Sequence, residues 1–177
     1  MDKIKIKSSK NNILEGLLML EPNLIRDNRG FFFESWNEYK FNNIINEKIN
    51  FVQDNHAYSF KNVIRGLHYQ LEPFEQGKLI SCSKGIIFDV AVDIRSNSPT
   101  FKEWGSVILD SERHNQLWIP KGFAHGYQVL SEFAHVNYKV TNYWSKEHES
   151  SIKWNDPEIG IEWPISKEPI LSKKDLH

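Results

Sequence analysis

The stretch GIIFDVAVDI, residues 85–94, carries the clearest strand pattern in the chain. Apolar side chains occupy the even-numbered positions from 86 to 94, whereas Asp89 and Asp93 lie on the opposite face with Ala91 between them. This alternation predicts a β-strand, because successive side chains of a strand point to opposite faces of a sheet. The acidic face has two interpretations. It meets solvent, or it lines a polar cavity while the apolar face packs between sheets, and Asp89 is then a buried carboxylate that needs a partner.

Similar short runs with a period of two residues precede and follow this stretch. The further predicted strands are 17–20, 30–35, 63–70, 79–83, 104–109, 116–119, 126–130 and 134–140, and turn signals lie at 27–30, 75–77, 96–99 and 120–122. Many short strands at a spacing of roughly 8–12 residues are typical of a sandwich or barrel. One short helix is predicted over 36–45, and the tail from about residue 145 is expected to hold turns and one helical segment.

Length and composition predict one domain over residues 1–177 and exclude several classes of protein. A single cysteine excludes an internal disulfide scaffold. The formal net charge of −1 gives no overall attraction to nucleic acid or to anionic lipid. No segment approaches the roughly 20 consecutive apolar residues that span a bilayer, so no membrane partner is expected. The N-terminal residues lack the apolar block of a secretory signal, and cytoplasmic location is therefore expected.

Two histidines fall in local patterns that can carry chemistry. In IRGLHYQ, residues 64–70, Arg65 and His68 lie on opposite faces of a regular strand, but Gly66 permits a bulge that would change this. A lone histidine in a strand is more commonly structural than catalytic. The second pattern is PKGFAH, residues 120–125, which resembles a strand-to-strand turn of cupins, the double-stranded β-helix barrels, with His125 entering the barrel.

The sequence favours a barrel that holds no metal. Metal-binding cupins usually carry two histidines separated by one residue, and none of the seven histidines here has that spacing. Glycine-rich nucleotide loops and the GxSxG nucleophile motif are also absent from the sequence. Cys82 lies within an apolar strand pattern, which predicts a core residue rather than a nucleophile.

Eight stretches together resemble one enzyme family. They are DNRGFFFESW (27–36), FVQDNHAYS (51–59), VIRGLHYQ (63–70), QGKLISCSKGIIFDVAVDIRSNSPTF (76–101), IPKGFAHGY (119–127), NYKVTNYW (137–144), WNDPEIGIEWP (154–164) and PILSKKD (169–175). In this order they strongly resemble the dTDP-4-dehydrorhamnose 3,5-epimerase family, from about residue 13 to 175. The resemblance implies an all-β, cupin-type jelly roll with a few short peripheral helices. It also implies a homodimer that epimerises a dTDP-linked 4-keto-6-deoxyhexose at C3 and C5 without a cofactor.

The resemblance also implies the catalytic residues. His68 matches the general base, Tyr138 the opposing acid, and Asp175 the carboxylate that pairs with the base. Lys78 matches a position near the reacting sugar, where it would stabilise an enolate. The chemistry suits these residue types, because inversion next to a ketone needs a base on one face of the sugar and a proton donor on the other.

The same resemblance implies a set of substrate-binding residues. Arg65 matches a position close to the sugar, and His125 and Asp89 match a second His/Asp pair in the pocket. The positions on the nucleotide side and along the pocket wall are Arg29, Phe32, Glu34, Gln53 and Asn55. Trp144 stands where many members of the family have tyrosine, so it keeps a surface for stacking on the nucleobase but lacks the phenol oxygen.

Alternative functions remain open at this point. The chain stops at residue 177, earlier than the usual family tail, so an epimerase that inverts only C3 or only C5 is one alternative. A second is an epimerase of another nucleotide sugar, for example a GDP-linked one. A non-catalytic cupin that binds a sugar or nucleotide, and a metal-dependent cupin oxygenase or isomerase, belong to other classes.

Overall fold

The computed structural model describes residues 1–176, which form thirteen strands and one helix. The elements are β1 (Asp2–Lys7), β2 (Ile13–Glu21), β3 (Ile25–Asp27), β4 (Gly30–Phe32), α1 (Glu38–Ile45), β5 (Gln53–Phe60), β6 (Ile64–Gln70), β7 (Lys78–Lys84), β8 (Ile86–Asp93), β9 (Trp104–Asp110), β10 (Gln116–Ile119), β11 (Phe123–Val129), β12 (Phe133–Val140) and β13 (Glu149–Ser151).

Two antiparallel sheets face each other. One has the strand order β1-β2-β10-β7-β12-β5 and the other β13-β6-β11-β8-β9, while β3 and β4 form a separate hairpin. From β5 to β12 the chain crosses to the other sheet at every connection except the one from β8 to β9. The order β5-β12-β7-β10 therefore faces β6-β11-β8-β9, which is the strand order of a jelly roll. The core between the sheets is built from aliphatic side chains such as Leu14, Ile80, Ile87 and Leu117. The all-β sandwich predicted from the alternation is therefore confirmed.

Strand β8 is buried on both faces, so the solvent interpretation of its acidic face is wrong. Asp89 and Asp93 have no exposed surface. They share a face with Ala91, which packs in the core between the sheets. The opposite, apolar face carries Val90 and Val92, and it packs in a separate cluster with residues of the C-terminal segment. The acidic face thus points into the sandwich, whereas the apolar face lies beneath the tail instead of between the sheets.

Helix α1 covers the part of the outer face of the six-stranded sheet that is formed by β2, β7 and β10. The Asn37 side chain caps its first turn by accepting a hydrogen bond from the Lys40 N–H, and the chain leaves the helix through Asn46 in the left-handed conformation. Phe41 is the buried residue of the helix, and it packs edge-on against Trp118 of β10. Within residues 1–176, no helix is long and apolar enough to cross a membrane.

Several parts of the chain differ from the sequence prediction, among them strands β3, β5 and β13, which were not predicted. The expected helical segment after residue 145 does not form, because residues 145–176 contain turns and strand β13 instead. Strand β5 was not predicted, since the first four residues of its sequence QDNHAYSF are all polar and it shows no regular alternation of polar and apolar side chains. Strands β5 and β13 both lie at sheet edges, where only one neighbour supplies hydrogen bonds.

A bulge in β6 brings Arg65 and His68 to the same cavity. His68 pairs with His125, and Arg65 pairs with Tyr127, so three steps along β6 match two steps along β11. The extra residue is accommodated at Gly66, whose φ of +129° is accessible to glycine alone without strain. A Cβ atom at Gly66 would lie 2.5 Å from the Gly126 Cα atom. The bulge permitted by Gly66 is therefore present in the structure.

Replacing Gly66 with alanine tests this contact. We expect Gly66→Ala to lower the free energy of unfolding by about 3 kcal/mol, because the Cβ atom meets backbone and the positive φ is strained. Gly30→Ala is the matched control, since Gly30 has nearly the same φ, +128°, but open space around its Cα atom. Urea unfolding of both variants measures the difference, and equal losses would contradict the role of the Gly126 contact.

Candidate active site

A cavity of about 390 Å³ opens between the two sheets. Strands of both sheets line it, together with the loop that carries Trp144. Its lining residues are Gln53, Asn55, Ala57, Arg65, His68, Tyr69, Gln70, Gln76, Lys78, His125, Tyr127, Tyr138, Trp144 and Glu149. Eight of the thirteen site residues predicted from the sequence are therefore brought together here.

His68 forms a hydrogen-bonded pair with Asp175. Its Nε2 atom lies 2.6 Å from Asp175 Oδ1, and Asp175 Oδ2 accepts a second hydrogen bond, from Ser172 Oγ at 2.6 Å. Donation from Nε2 to the carboxylate selects the tautomer in which Nδ1 carries a lone pair. The pair thus has the arrangement of a base whose orientation is fixed by a carboxylate.

The segment that carries Asp175 is tied to the sandwich. Ile170 exchanges backbone hydrogen bonds with Asn62 and Ile64, and Lys174 forms an ion pair with Glu149 of β13. Asp175 is consequently 4% exposed, although it lies two residues from the end of the sequence. Burial by itself would raise the pKa of Asp175, but the hydrogen bonds from His68 and Ser172 outweigh it and hold the pKa below its ordinary value.

Tyr138 lies on the sheet that faces His68. It belongs to β12, where it pairs with Asn55 of β5 and Ile80 of β7, whereas His68 belongs to β6 of the other sheet. Burial raises the pKa of Tyr138, and the positive charge of Arg65 partly offsets this effect. The phenol is therefore protonated at neutral pH and available as a proton donor.

Lys78 is a buried cation beside the base. It is 8% exposed, and its Nζ atom donates to the His68 carbonyl oxygen at 3.2 Å. Burial lowers the pKa of Lys78 to about 8, against the opposing attraction of Asp89 and Glu149. The ammonium group can thus stabilise negative charge that forms in the cavity, and it is sensitive to mildly alkaline pH.

A second His/Asp pair lies deeper in the barrel. His125 Nε2 and Asp89 Oδ1 are 3.0 Å apart, and burial lowers the pKa of His125 despite the carboxylate. Asp89 does not line the cavity, and among residues 1–176 its Oδ2 atom finds no hydrogen-bond partner. Asp89 is therefore connected to the cavity through His125, which lines it.

The mouth of the cavity carries a linked set of polar and aromatic side chains. The Gln53 amide donates to Asn55 Oδ1 at 2.8 Å and accepts from the Trp144 backbone N–H at 3.2 Å. The Trp144 side chain is 54% exposed, so its ring is accessible to a planar ligand. This combination is suited to an aromatic base with hydrogen-bonding edges.

Besides Asp89, three predicted binding residues lie outside this cavity. Arg29 and Phe32 belong to the exposed β3–β4 hairpin and its turn, where Arg29 forms an ion pair with Asp27 at 2.7 Å. Glu34 follows the hairpin and forms an ion pair with Lys40 of α1. The structure of one chain does not bring these three residues to His68.

Several lining residues were missed in the sequence. Tyr127 and Gln70 follow His125 and His68 at a spacing of two on the same strands, so strand periodicity could have identified them. Glu149 gave no such signal, because β13 has only three residues and no apolar alternation. Within residues 1–176, no three His, Cys, Asp or Glu side chains approach one another closely enough to hold a metal ion.

Comparison with known proteins identifies close relatives. The family model described as dTDP-4-dehydrorhamnose 3,5-epimerase matches residues 11–177. A protein of that name from Salmonella typhimurium is 57% identical over 159 residues, which are 90% of this chain and 87% of that protein. One from Escherichia coli is 51% identical over 162 residues, 92% of this chain and 88% of that protein.

Solved structures agree with this result. The dTDP-6-deoxy-D-glucose-3,5-epimerase from Legionella pneumophila, in complex with dTDP-4-keto-L-rhamnose, superposes with a TM-score of 0.91 at 45% identity, covering 99% of this chain and 90% of that one. ChmJ, a 3′-monoepimerase from Streptomyces bikiniensis in complex with dTDP-quinovose, has a TM-score of 0.87 at 33% identity over 92% of this chain and 82% of that one. The cupin-type jelly roll that the resemblance implied is thereby confirmed.

Proposed function

The chain belongs to the dTDP-4-dehydrorhamnose 3,5-epimerase family and is a nucleotide-sugar epimerase; we propose that His68 and Tyr138 perform the inversion, as base and acid. The substrate is a dTDP-linked 4-keto-6-deoxyhexose that is epimerised at C3 and C5. The observation that carries the mechanism is the position of a carboxylate-bound imidazole and a phenol on facing sheets of one cavity.

The chemistry of the sugar fits two facing groups. A ketone at C4 acidifies the C–H bonds at C3 and C5, and in the chair of a gluco-configured sugar both hydrogens are axial on the same face. One base can therefore serve both carbons, provided that the sugar adjusts its position between the two steps. His68 Nδ1 takes the proton, and the electron pair moves into an enolate with its charge on the C4 oxygen. Tyr138 returns a proton from the opposite face, which inverts the carbon.

Two other groups support the charged intermediate. The buried Lys78 ammonium is proposed to stabilise the enolate oxygen, since a fixed donor in a site of low dielectric acts strongly on developing charge. Asp175 stabilises the imidazolium that forms on His68. At the end of each inversion the Tyr138 phenolate regains a proton and His68 loses one, so the enzyme returns to its starting state.

Deuterium exchange separates the roles of base and acid. In D₂O the wild type should introduce deuterium at both C3 and C5 of dTDP-4-keto-6-deoxyglucose, as read by NMR. His68→Asn should lower exchange at both carbons by about 10²–10⁴-fold, because no base remains. Tyr138→Phe should lower inversion by a similar factor but retain exchange, since His68 can still remove a proton and return a deuteron to the same face. Tyr143→Phe, on an exposed tyrosine outside the cavity, is the matched control.

Each outcome of this experiment decides between functions. Exchange at one carbon in the wild type would indicate an enzyme that inverts a single centre, the activity named for the Streptomyces bikiniensis relative. If exchange occurs with a GDP-linked 4-keto sugar but not with the dTDP-linked one, the substrate is the GDP-linked sugar. If dTDP-linked sugar binds equally to the wild type and to His68→Asn, and neither shows exchange, the chain is a binding protein without catalytic activity.

The pKa of Lys78 predicts the alkaline limit of activity. Since that pKa is about 8 and the charged form is the active one, kcat/KM should fall as pH rises through about 8. Lys78→Arg keeps its charge at higher pH, so its remaining activity should decline only above that range. Lys84→Met, at the exposed end of the same strand, should keep the wild-type profile. An unchanged alkaline limb in Lys78→Arg would exclude Lys78 as its origin.

The nucleotide is proposed to bind at the mouth of the cavity. Arg65 supplies a cation for the diphosphate, while Gln53, Asn55 and the Trp144 ring offer hydrogen bonds and a stacking surface for the base. The indole of Trp144 preserves stacking without a phenol oxygen. We therefore expect affinity for dTDP to depend on the ring and not on a hydroxyl at this position.

A homodimer is proposed to complete the nucleotide side. The outer face of the six-stranded sheet exposes an aromatic group in which Tyr58 and Phe60 of β5 contact each other and Tyr58 also contacts Phe133 of β12. Phe60 is 61% exposed in the single chain. A second copy is the occupant that fits best, because the exposed β3–β4 hairpin with Arg29 and Phe32 would then be available to a partner's nucleotide.

Cytoplasmic location stays a prediction, with which the single buried thiol of Cys82 is compatible.

Light scattering after size-exclusion chromatography tests the dimer. The wild type should have twice the mass of the 20.8 kDa chain. Phe60→Lys should shift the protein toward the monomer, because a charge replaces an apolar contact. Ile108→Lys is the matched control, since Ile108 is also exposed but lies on β9 of the other sheet. A wild-type monomer, or a dimer unaffected by Phe60→Lys, would refute this interface.

A further inference from the structure

The Arg65 side chain is held by a buried hydroxyl group that itself contacts a second one. Its Nε atom donates to Ser59 Oγ at 3.0 Å, and Ser59 Oγ lies 3.2 Å from the Tyr127 hydroxyl. Ser59 and Tyr127 are 3% and 4% exposed, whereas Arg65 is exposed at the cavity mouth. A hydrogen bond from Nη2 to the Tyr58 carbonyl oxygen, at 3.4 Å, adds a second contact to the same strand.

These contacts join the two sheets at the cavity. Ser59 lies on β5, the edge strand of the six-stranded sheet, while Arg65 and Tyr127 lie opposite each other on β6 and β11 of the five-stranded sheet. Ser59 itself is not among the residues that line the cavity. Any effect of its hydroxyl on a ligand therefore passes through the two lining residues that it contacts, Arg65 and Tyr127.

The guanidinium group keeps donors that the protein does not use. Among residues 1–176, no carboxylate oxygen lies within 4.0 Å of Arg65, so its charge is not neutralised by an ion pair. A guanidinium has five N–H donors, and only two of them are engaged by Ser59 and by the Tyr58 carbonyl. The remaining donors form a fork whose orientation is set by the Nε contact, and such a fork matches the oxygens of a phosphate.

We propose that Ser59 is a positioning residue: with its hydroxyl fixed by Tyr127, it holds the Arg65 guanidinium in place to bind the diphosphate of the substrate. This inference rests on the proposed binding of the diphosphate at Arg65. Because the same contact is made to bound substrate and to the transition state, Ser59 acts on affinity and leaves the chemical step largely unaffected. Its effect is therefore expected in KM and in the affinity for dTDP, with a small change in kcat.

Calorimetric titration with dTDP, combined with steady-state kinetics, tests the proposal. Ser59→Ala should weaken dTDP binding by about tenfold, as expected for the loss of a hydrogen bond to a charged group, with a parallel rise in KM. Ser59→Cys keeps nearly the same volume but offers a poor acceptor, so it should lose affinity similarly. Ser59→Thr retains the hydroxyl and should recover most of the affinity. Ser106→Ala, on β9 away from the cavity, is the matched control.

A double-mutant cycle distinguishes positioning from a general structural effect. In an Arg65→Ala background, Ser59→Ala should have no further effect on dTDP affinity, because the group that it positions is absent. Additive losses, or wild-type affinity in both Ser59→Ala and Ser59→Cys, would overturn the proposal. If Arg65→Ala itself binds dTDP as tightly as the wild type, the proposed diphosphate site fails, which is a separate result. Unfolding midpoints of each variant establish that the fold is retained.

Discussion

The close packing of Gly66 against Gly126 is the constraint on which the site depends. Both residues lack a side chain, and the backbones of β6 and β11 can therefore approach to a distance at which any Cβ atom would collide with the neighbouring strand. This approach accommodates the extra residue of the bulge. Without it, Arg65 and His68 would project from opposite faces of a regular strand, and the cavity would lose either its cation or its base.

Burial then sets the charges inside the cavity. Lys78 and His125 both have lowered pKa values, because burial disfavours the charged form of each. The two groups nevertheless differ in their charge at neutral pH. Lys78, near Asp89 and Glu149, titrates at about 8 and remains mostly charged at neutral pH, whereas His125 remains neutral. The carboxylate of Asp175 is meanwhile engaged by His68 and Ser172. The cavity consequently presents cations to an anionic ligand, while Asp175 and Asp89 face histidines and Glu149 is paired with Lys174.

The sequence was most informative where the strand pattern is regular and least informative at the edges. Strand β8 and the strands beside it were predicted because apolar residues alternate in them. Strands β5 and β13 lie at sheet edges with polar sequences, and no local pattern distinguishes them from loops. The same limit applies to the site. The pair His68–Asp175 joins residues 107 positions apart, and the resemblance to a family suggested it where no local spacing could.

The β3–β4 hairpin illustrates a different limit. Arg29 and Phe32 were expected on the nucleotide side, yet within one chain they lie on an exposed hairpin away from the cavity. A sequence motif records that a residue contributes to a site, but it does not record whether that site belongs to the same chain. If the hairpin serves a partner subunit, the motif and the fold of the single chain agree, because the missing contacts are made between copies.

The number of centres that are inverted follows from how the substrate is anchored. The proposed base and acid, His68 and Tyr138, lie on strands of facing sheets, and the hydrogens at C3 and C5 lie on the same face of the sugar, so the same two groups can act on either carbon. Reaching the second carbon requires the sugar to move while the nucleotide stays bound. Arg65 and Trp144, which line the cavity and are proposed to hold the nucleotide, would therefore govern this movement more than His68 and Tyr138. In this view a monoepimerase and a double epimerase can share fold and catalytic pair, and differ in how firmly the cavity mouth fixes the diphosphate.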